Sequence, residues 1–509
     1  MQFVPDMIVN AARRFPQTRS VTDGERSHTF ADTHERATRL AAALRARGLA
    51  RGDRVALLAV NEIEYTEIQV ACQRGGFILV PLNYRLALPE LAYLVDDSAP
   101  RVLIAGAGYV READRLVVEQ KFFLGAHGVG TSYDSLLDSA IEERDTTFDA
   151  LDATAACTIL YTSGTTGRPK GAVLTNLSIW ARQASFSVEV AAPPGSRFLQ
   201  CLPMFHIASN LGYHFSYTGS TNVFLPQFDA EGFFDLLESE RPTHILLVPT
   251  MINMLLNHPR IGRADFSSVE MVLYGASSIA PAILKSAIET MNCGFLQFFG
   301  MTETSGCSIL RPSDHDPERH PEWLASCGTD AIGFETRVVD DADDEVDADV
   351  VGEIVTRGPG VMSEYWRNPD ASDEAMRNGW MHTGDLGVRS VDGYIYITDR
   401  KKDMVVSGGE NVYPREVEDA LYSHPDVFEV AVIGVPDERW GERVHAVVVL
   451  HDSAIEDARS LSDHARERLA TYKIPRTFDF VDELPKNVTG KILKTELRSA
   501  HHRAATLID

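Results

Sequence analysis

Short apolar runs alternate with amphipathic, helix-like stretches along much of the sequence. The stretch HERATRLAAALRARG precedes the run RVALLAV, the run RVLIAG follows, and the same order returns in FDLLESERPTHILLVPTMINMLL. Strands that alternate with helices connect in parallel, so this pattern predicts α/β layers built on parallel sheets. With 509 residues the chain also exceeds what one compact core usually holds, which predicts two or more domains.

The pattern changes after about Thr329. Short β-like runs, TRVVD, GEIVTRG and GYIYITDR, are separated by turns and by the acidic run DDADDEVDAD, which lacks calcium-loop spacing and is typical of a solvated hairpin loop. From Arg400 onward the order becomes helix (PREVEDALYSH), strand (VFEVAVIGV), strand (RVHAVVVL), helix (LSDHARERLATY) and a polar tail. We predict a large α/β domain of several subdomains, one of them β-rich, over residues 1–399, and a small α+β domain over residues 400–509.

Charge and composition exclude several classes of function. The net charge of −25 repels nucleic acid and anionic membranes, and the sequence has no Lys/Arg block interleaved with aromatic residues to offset it. The six cysteines lack metal-ligand spacing, which predicts buried free thiols. The N-terminus lacks the apolar run of a signal peptide, and no stretch of about 18 apolar residues exists to span a bilayer. We therefore expect a cytoplasmic protein with no integral membrane segment and no nucleic-acid partner.

The segment YTSGTTGRPKG, residues 161–171, is the strongest local signal for chemistry. Its glycines let the backbone turn several amides toward one anion, its hydroxyls add donors and its lysine adds positive charge. It is not a Walker A loop, because the four-residue gap before Gly-Lys-Ser/Thr is absent. A flexible surface loop is the alternative, but the unbroken Ser/Thr/Gly run favours a phosphate cradle. The residues expected to contact phosphate are Thr162, Ser163, Gly164, Thr165, Thr166, Gly167 and Lys170.

The segment QFFGMTET, residues 297–304, carries side chains suited to a nucleotide. Phe298 and Phe299, which precede Gly300, are able to stack on a base. Thr302 is able to bond a phosphate, and the carboxylate that follows it is able to bind Mg²⁺. Taken alone, the segment is more typical of a buried strand end with a capping Thr/Glu pair.

Three later segments are suggestive only in combination. In GWMHTGDLG, the Asp385 carboxylate is able to accept both hydroxyls of a ribose, although Thr-Gly-Asp is by itself a turn. In DRKKDMVVSGGENVYP, the pair Gly408–Gly409 permits close passage of a narrow ligand, whereas a charged stretch between domains is usually a solvated linker. In LPKNVTGKILK, Lys491 follows a glycine in a loop, where a solvent-facing lysine is the default.

Taken together and in this order, these segments resemble the adenylate-forming superfamily, which includes acyl-CoA synthetases, peptide-synthetase adenylation domains and luciferases. The resemblance covers nearly the whole chain. It implies that residues 162–171 hold the β- and γ-phosphates of ATP, that Thr302 holds the α-phosphate and that Glu303 binds Mg²⁺. It also implies that Asp385 and Arg400 hold the ribose hydroxyls, and that residues 298–300 lie at the adenine.

In the superfamily that this sequence resembles, one active site serves two half-reactions. Lys491 would bridge the acyl carboxylate and the α-phosphate, because an ammonium there stabilises charge in the transition state. The small domain would then rotate about a hinge at Lys402, withdraw that lysine and bring Gly408 and Gly409 to line a channel for pantetheine. Phe299 stands where the superfamily more often has tyrosine, and SCGTDAIGFE replaces a more usual Gly-Arg-Pro-rich turn.

The segment LPMFHIAS places His206 where amino-acid activators typically carry an aspartate, which argues against an amino acid as substrate. A satisfied core histidine is the alternative to a role beside the carboxylate or as a gate. Small residues leave room for a medium-to-long-chain or bulky aliphatic acid; aromatic, cinnamate-like acids are the alternative. The expected acyl pocket contains His206, Gly275, Ala276, Ser277, Met301, Ser305 and Gly306.

The resemblance thus predicts an AMP-forming acyl-CoA ligase that takes ATP, Mg²⁺, coenzyme A and a small carboxylic acid. Its expected catalytic residues are His206, Thr302, Glu303 and Lys491. A homologue that performs one half-reaction, or that only binds its ligands, is the competing hypothesis, and a homodimer is an open alternative for its assembly. Retention of the lysine and of both carboxylates speaks against a protein that only binds.

Overall fold

The computed structural model describes residues 3–125, 131–140, 150–162, 168–400, 403–407, 410–437, 439–452, 454–486 and 491–506. Over these residues the chain forms a large domain that contains two long sheets and a smaller β-rich subdomain, followed by a small α+β domain. This arrangement confirms the predicted fold class. The short strands Phe3–Pro5 and Ala150–Asp152 pair separately at the surface of the large domain.

The first long sheet has eight strands. Its central strand, Arg54–Leu58, is apolar and buried, and it pairs in parallel on both sides as the alternating pattern predicts. At one end the chain turns back on itself, so that Ala156–Thr162 and Lys170–Thr175 form an antiparallel hairpin. In spatial order the strands are Glu364–Tyr365, Lys170–Thr175, Ala156–Thr162, Ile78–Pro81, Arg54–Leu58, Val102–Ala105, Gln120–Phe123 and Thr131–Ser132.

The second long sheet has nine strands and is also parallel through its centre. Met271–Gly275 lies parallel to Gly294–Met301, which places Gly275 beside Phe298. Gly294–Met301 then turns back to pair antiparallel with Ser305–Leu310. In spatial order the strands are Thr329–Asp330, Ser305–Leu310, Gly294–Met301, Met271–Gly275, His244–Leu247, Arg197–Gln200, Thr221–Phe224, Arg19–Thr22 and Ser27–Thr29.

Helices cover the faces of these sheets and bury their apolar sides. The helix Asn176–Glu189 is capped by the Thr175 side chain, which accepts from the backbone of Ser178, and it buries polar residues as well as apolar ones. The α-helices of the large domain are Met7–Arg14, Phe30–Ala46, Glu64–Gly75, Leu88–Ser98, Val110–Arg115, Tyr133–Asp138, Asn176–Glu189, Leu211–Thr218, Ala230–Glu240, Pro249–Leu256, Pro281–Met291 and Pro369–Ala375.

The β-rich subdomain follows the second sheet. The acidic run joins Glu335–Val339 to Gly352–Arg357, which pair antiparallel, and this confirms the predicted hairpin loop. Trp380–Arg389 continues the sheet and pairs with both Met376–Arg377 and Ile395–Arg400.

The small domain has one sheet and three α-helices. The strands are Val405–Ser407, Glu410–Val412, Val427–Asp437, Gly441–Leu450 and Thr477–Phe480, and the helices are Pro414–Tyr422, Ala458–Arg466 and Lys494–Thr506. The prediction that the domain ends in a polar tail is wrong, because the final part of the chain forms the strand Thr477–Phe480 and the helix Lys494–Thr506. That helix packs Leu497 against the buried side chains of Ala431, Val447 and Val449. The second predicted helix is also shorter than expected.

All six cysteines are free thiols, and all but Cys293 are buried, which confirms the prediction. Within the described residues, no helix is both long and apolar enough to cross a membrane.

Candidate active site

One cavity of about 320 Å³ lies where the two long sheets approach each other. Parallel strands collect their carboxyl ends at one edge, so side chains that follow different strands meet there. Lys491, from the small domain, completes the wall. The predicted residues that line the cavity are Thr162, Lys170, His206, Gly275, Ala276, Phe298, Gly300, Met301, Thr302, Glu303, Ser305, Gly306 and Lys491.

A tight turn between Gly294–Met301 and Ser305–Leu310 holds Thr302 and Glu303. The backbone of Ser305 adopts φ of 65°, in the left-handed region, and a Cβ at Gly300 would overlap the Ser305 carbonyl oxygen. The Thr304 hydroxyl accepts a bond from the Met301 amide at 3.0 Å. The sequence therefore fixes the conformation of the turn, and the turn fixes where its threonine and carboxylate project.

The Glu303 carboxylate is buried and held from two sides. The Tyr365 hydroxyl donates to its Oε1 at 2.8 Å, and the Thr162 hydroxyl donates to the same oxygen at 3.3 Å. No described residue donates to Oε2, so one carboxylate oxygen is available to a ligand. Mg²⁺ is bound in proteins through one or two carboxylate oxygens together with substrate phosphates. The residues present therefore fit the predicted magnesium site.

Arg182, which the sequence analysis did not select, supports this turn from below. Its guanidinium is buried, with Nε donating to the Gly360 carbonyl at 2.7 Å and Nη2 donating to the Thr302 carbonyl at 3.1 Å. Burial lowers the pKa of Arg182 to about 9, and the nearby Glu303 carboxylate opposes that shift. The side chain thus stays cationic at pH 7, and it places positive charge beside the cavity that it lines.

The predicted phosphate loop begins and ends on paired strands. Thr162 and Lys170 face each other in the hairpin register, and the Lys170 ammonium lies 5.1 Å from the centre of the Tyr365 ring. This pairing holds the two ends of the loop together at the cavity. Five of the predicted phosphate contacts lie outside the described residues: Ser163, Gly164, Thr165, Thr166 and Gly167.

The predicted ribose-binding pair lies beside the cavity. Asp385 is opposite Arg400 in the strand register, and its amide donates to the Thr383 hydroxyl at 3.1 Å, while Thr383 lines the cavity. The side chain of Arg400 is outside the described residues, as are Lys402, Gly408 and Gly409.

Besides Asp385, two predicted residues among those that the structure describes, Phe299 and Ser277, do not line the cavity. Phe298 contributes its ring to the wall between two glycines, but the alternation of the strand turns Phe299 into the hydrophobic core, where it is 8% exposed. Ser277 also lies outside the lining residues.

His206 is half-buried in the cavity wall, and its ring packs at a tilt against Phe205, with ring centres 4.4 Å apart. Burial lowers the pKa of His206 to about 4, and the charge of Arg85 acts in the same direction. The imidazole is therefore neutral at pH 7 and does not bring a positive charge to a carboxylate. Its position agrees with the predicted place in the acyl pocket.

The sequence is similar to those of known proteins over nearly its whole length. Residues 8–366 match the family model described as AMP-binding enzyme, and residues 416–491 match that of the AMP-binding enzyme C-terminal domain. Feruloyl-CoA synthase from an Amycolatopsis species is 38% identical over 96% of this chain and 97% of its own. A fatty acid–[acyl-carrier-protein] ligase from Streptomyces coeruleorubidus is 36% identical over 96% and 94%. Indoleacetate–CoA ligase from Aromatoleum aromaticum is 37% identical over 93% of each chain.

Solved structures agree with the fold at similar coverage. An amide bond synthetase from Marinactinospora thermotolerans has a TM-score of 0.88 and 30% identity, over 97% of this chain and 99% of its own. The o-succinylbenzoate CoA synthetase from Bacillus subtilis, in complex with an acyl-adenylate, has a TM-score of 0.85 and 31% identity, over 98% and 99%.

We predict that His206 stays neutral between about pH 5.5 and pH 8. Its pKa in the folded protein, about 4, is below the ordinary value of about 6.5. The protein labelled with ¹³C-histidine is titrated by NMR, and the resonance of His206 is assigned by its loss in His206→Gln. A flat chemical shift across this range is expected. A titration midpoint near pH 6.5 would contradict this, because it would show that the imidazole is exposed to water and becomes protonated below that pH.

Proposed function

Because the chain belongs to the AMP-binding enzyme family, we propose that it activates a compact aromatic carboxylic acid as its acyl-adenylate and transfers the acyl group to coenzyme A. The superfamily resemblance is confirmed: the chain is an AMP-forming acyl-CoA ligase that uses ATP and coenzyme A. The relatives include a feruloyl-CoA synthase and a fatty acid ligase, so they do not decide between an aromatic and an aliphatic acid.

The size and lining of the cavity favour an aromatic acid. Its volume of about 320 Å³ is at the lower end of the range of small-molecule sites, about 300–1,000 Å³, and it includes the part that faces the phosphate-binding residues. Phe186, Phe298 and Phe334 line it, and the rings of Phe186 and Phe298 meet edge to face at 6.3 Å. Two of the relatives, a feruloyl-CoA synthase and an indoleacetate–CoA ligase, also support an aromatic acid as substrate. The medium-to-long-chain or bulky aliphatic acid expected from the small residues is the competing substrate.

In the first half-reaction, a carboxylate oxygen of the acid attacks the α-phosphorus of ATP and pyrophosphate leaves. Both partners are negative, so the reaction requires positive charge between them. Lys491 lies in the same cavity wall as Thr302 and Glu303, which is the observation that carries the proposal. We assign the bridging role to Lys491, and we assign the α-phosphate to Thr302. Mg²⁺ held by Glu303 would neutralise the departing pyrophosphate.

In the second half-reaction, the thiol of coenzyme A attacks the acyl carbon and AMP leaves. The path of the chain between the domains supports the predicted rotation. Ile395–Arg400 still pairs with the large domain, whereas Asp403 pairs with Arg498 of the small domain at 2.7 Å. Arg400 thus still pairs with the large domain and Asp403 contacts the small one, which supports a boundary close to the predicted 399/400, while the hinge at Lys402 stays a prediction. A homodimer and a cytoplasmic location stay predictions.

A panel of acids tests the proposed substrate. Ferulate, cinnamate and indoleacetate are expected to give kcat/KM at least about 10-fold above dodecanoate and hexadecanoate, and about 100-fold above free amino acids. The acidic side chain among the described residues that line the cavity is Glu303, which is bonded by Tyr365 and Thr162 beside the predicted phosphate loop and is therefore not placed to pair with a substrate ammonium. Pyrophosphate release and acyl-CoA formation are measured with and without coenzyme A. Higher turnover of the alkanoates would favour the aliphatic alternative, and pyrophosphate release without thioester would indicate a single half-reaction.

The role of Lys491 is tested by Lys491→Ala. We expect acyl-adenylate formation to fall by about 10²- to 10⁴-fold, the scale of losing one preorganised charge, while thioester formation from a supplied acyl-adenylate stays within about tenfold. Lys285→Ala, which removes an exposed lysine distant from the cavity, is the matched control. Equal loss in both half-reactions would mean that Lys491 is structural.

A further inference from the structure

Two side-chain amides, those of Gln183 and Asn210, lie among the apolar residues that line the cavity. Gln183 is on the helix Asn176–Glu189 and is 3% exposed, and Asn210 precedes the helix Leu211–Thr218 and is 4% exposed. Both line the cavity together with Phe186, Leu246 and Leu247. Gln183 was not selected from the sequence, where it falls inside a helical pattern with no motif around it, whereas Asn210 follows the segment LPMFHIAS and belongs to the stretch 205–214 that is expected to line the acyl pocket.

Each side chain has a buried polar atom that no residue described by the structure bonds. No described residue bonds to Oε1 of Gln183 or to Nδ2 of Asn210, although both atoms are buried. Buried polar atoms nearly always have a partner, which is another protein group, an ordered water or a ligand. In an apolar wall that faces a substrate cavity, the acid itself is the natural partner.

Asn210 stands immediately before a helix, yet its side-chain amide does not cap that helix. Asparagine immediately before a helix usually caps it by accepting a backbone N–H. Asn210 makes no such bond, because the preceding turn Ile207–Asn210 already holds its backbone in a helical conformation, with φ of −72° and ψ of −23°. Its amide thus stabilises neither helix end and is directed to the cavity.

We propose that Gln183 and Asn210 form a polar subsite that binds a hydroxyl group on the acid. A side-chain amide offers both a donor and an acceptor, and its oxygen and nitrogen are interchangeable by rotation. A hydroxyl also donates and accepts, so it is able to pair with the Gln183 oxygen and with the Asn210 nitrogen, whereas a hydrocarbon would leave both atoms unpaired. This inference rests on the proposed function and narrows its substrate to acids that carry a hydroxyl distant from the reacting carboxylate.

A second carboxylate on the acid is a different candidate for this end of the cavity. Nη1 of Arg182 also lacks a partner among the described residues and lines the same cavity. The rest of that guanidinium, however, is bonded to the backbone of the turn at Thr302 and to Gly360. The two neutral amides are better matched to a neutral hydroxyl than to an anion, because they supply no compensating charge.

Matched pairs of acids test the subsite. The first pair is 4-hydroxycinnamate and cinnamate, and the second is 12-hydroxydodecanoate and dodecanoate. We expect the wild-type enzyme to favour the hydroxylated member of at least one pair by about 10- to 100-fold in kcat/KM, the range when a site built for a hydroxyl meets an analogue without it. 4-Carboxycinnamate is included to detect a preference for a second carboxylate.

The double variant Gln183→Met/Asn210→Leu replaces both amides by apolar side chains of similar size. Its hydroxylated-to-plain ratio is expected to fall to within about threefold, and because both acids are measured on the same variant, a general loss of activity cancels. Gln120→Met, on a strand of the first sheet away from the cavity, is the matched control and should keep the wild-type ratio. Thermal unfolding of each variant checks that it is folded.

The outcomes separate the two proposals. Turnover of the dodecanoate pair but of neither cinnamate would contradict the aromatic substrate, while the hydroxyl preference in that pair would still support the subsite. A wild-type enzyme that favours the plain acid in both pairs, or that favours 4-carboxycinnamate over 4-hydroxycinnamate, would overturn the subsite. A preference that survives in the double variant would also overturn it, since the hydroxyl would then be bound elsewhere.

Discussion

The carboxylate of Glu303 joins the two long sheets at the point where chemistry is proposed to occur. Glu303 belongs to the hairpin of the second sheet, and its two donors, Thr162 and Tyr365, belong to strands of the first. The backbone carbonyl of Glu303 also accepts a hydrogen bond from the amide of Met362 at 2.7 Å. Met362 lies just before the edge strand Glu364–Tyr365 of the first sheet, so the same residue also holds the chain that leads into this strand. This buried acid is therefore one of the contacts that set the relative position of the two sheets around the cavity.

A buried carboxylate is costly unless its surroundings compensate for it. Here the compensation comes from hydroxyl donors and from the guanidinium of Arg182, which lies beneath the same turn and bonds its backbone. Removing either charge would leave the other less well compensated in the interior. The same arrangement leaves one oxygen of Glu303 for a cation, so the interaction that stabilises the junction also prepares it for a nucleotide.

Much of the fold could be predicted from the alternation of apolar runs and amphipathic helices, because buried parallel strands such as Arg54–Leu58 carry a strong signal. The helix Lys494–Thr506 could not. Its side chains are mostly charged or polar, and it is held by Leu497 and by the ion pair of Lys494 with Glu418 at 2.8 Å, a contact with a residue far away in the sequence. Tertiary packing, rather than periodicity, decides that segment.

The site shows the same division. Thr162, Glu303 and Lys491 were found because motifs fix their spacing. Arg182 and Gln183 were missed because a polar residue within a helical pattern normally faces solvent, and only the packed structure shows that these two face a cavity. Phe299 was assigned to adenine from its motif position, yet the pleat of the strand directs it into the core.

The central claim is that one cavity serves both half-reactions and that the arrangement with Lys491 in its wall serves only the first. Lys402→Pro tests this most directly, because proline fixes φ near about −65° and blocks a hinge that must adopt two conformations. Each half-reaction is measured separately, with Lys402→Ala as control. The account predicts that pyrophosphate exchange stays within a few-fold of wild type while thioester formation is severely slowed. Unchanged thioester formation in the proline variant would contradict it.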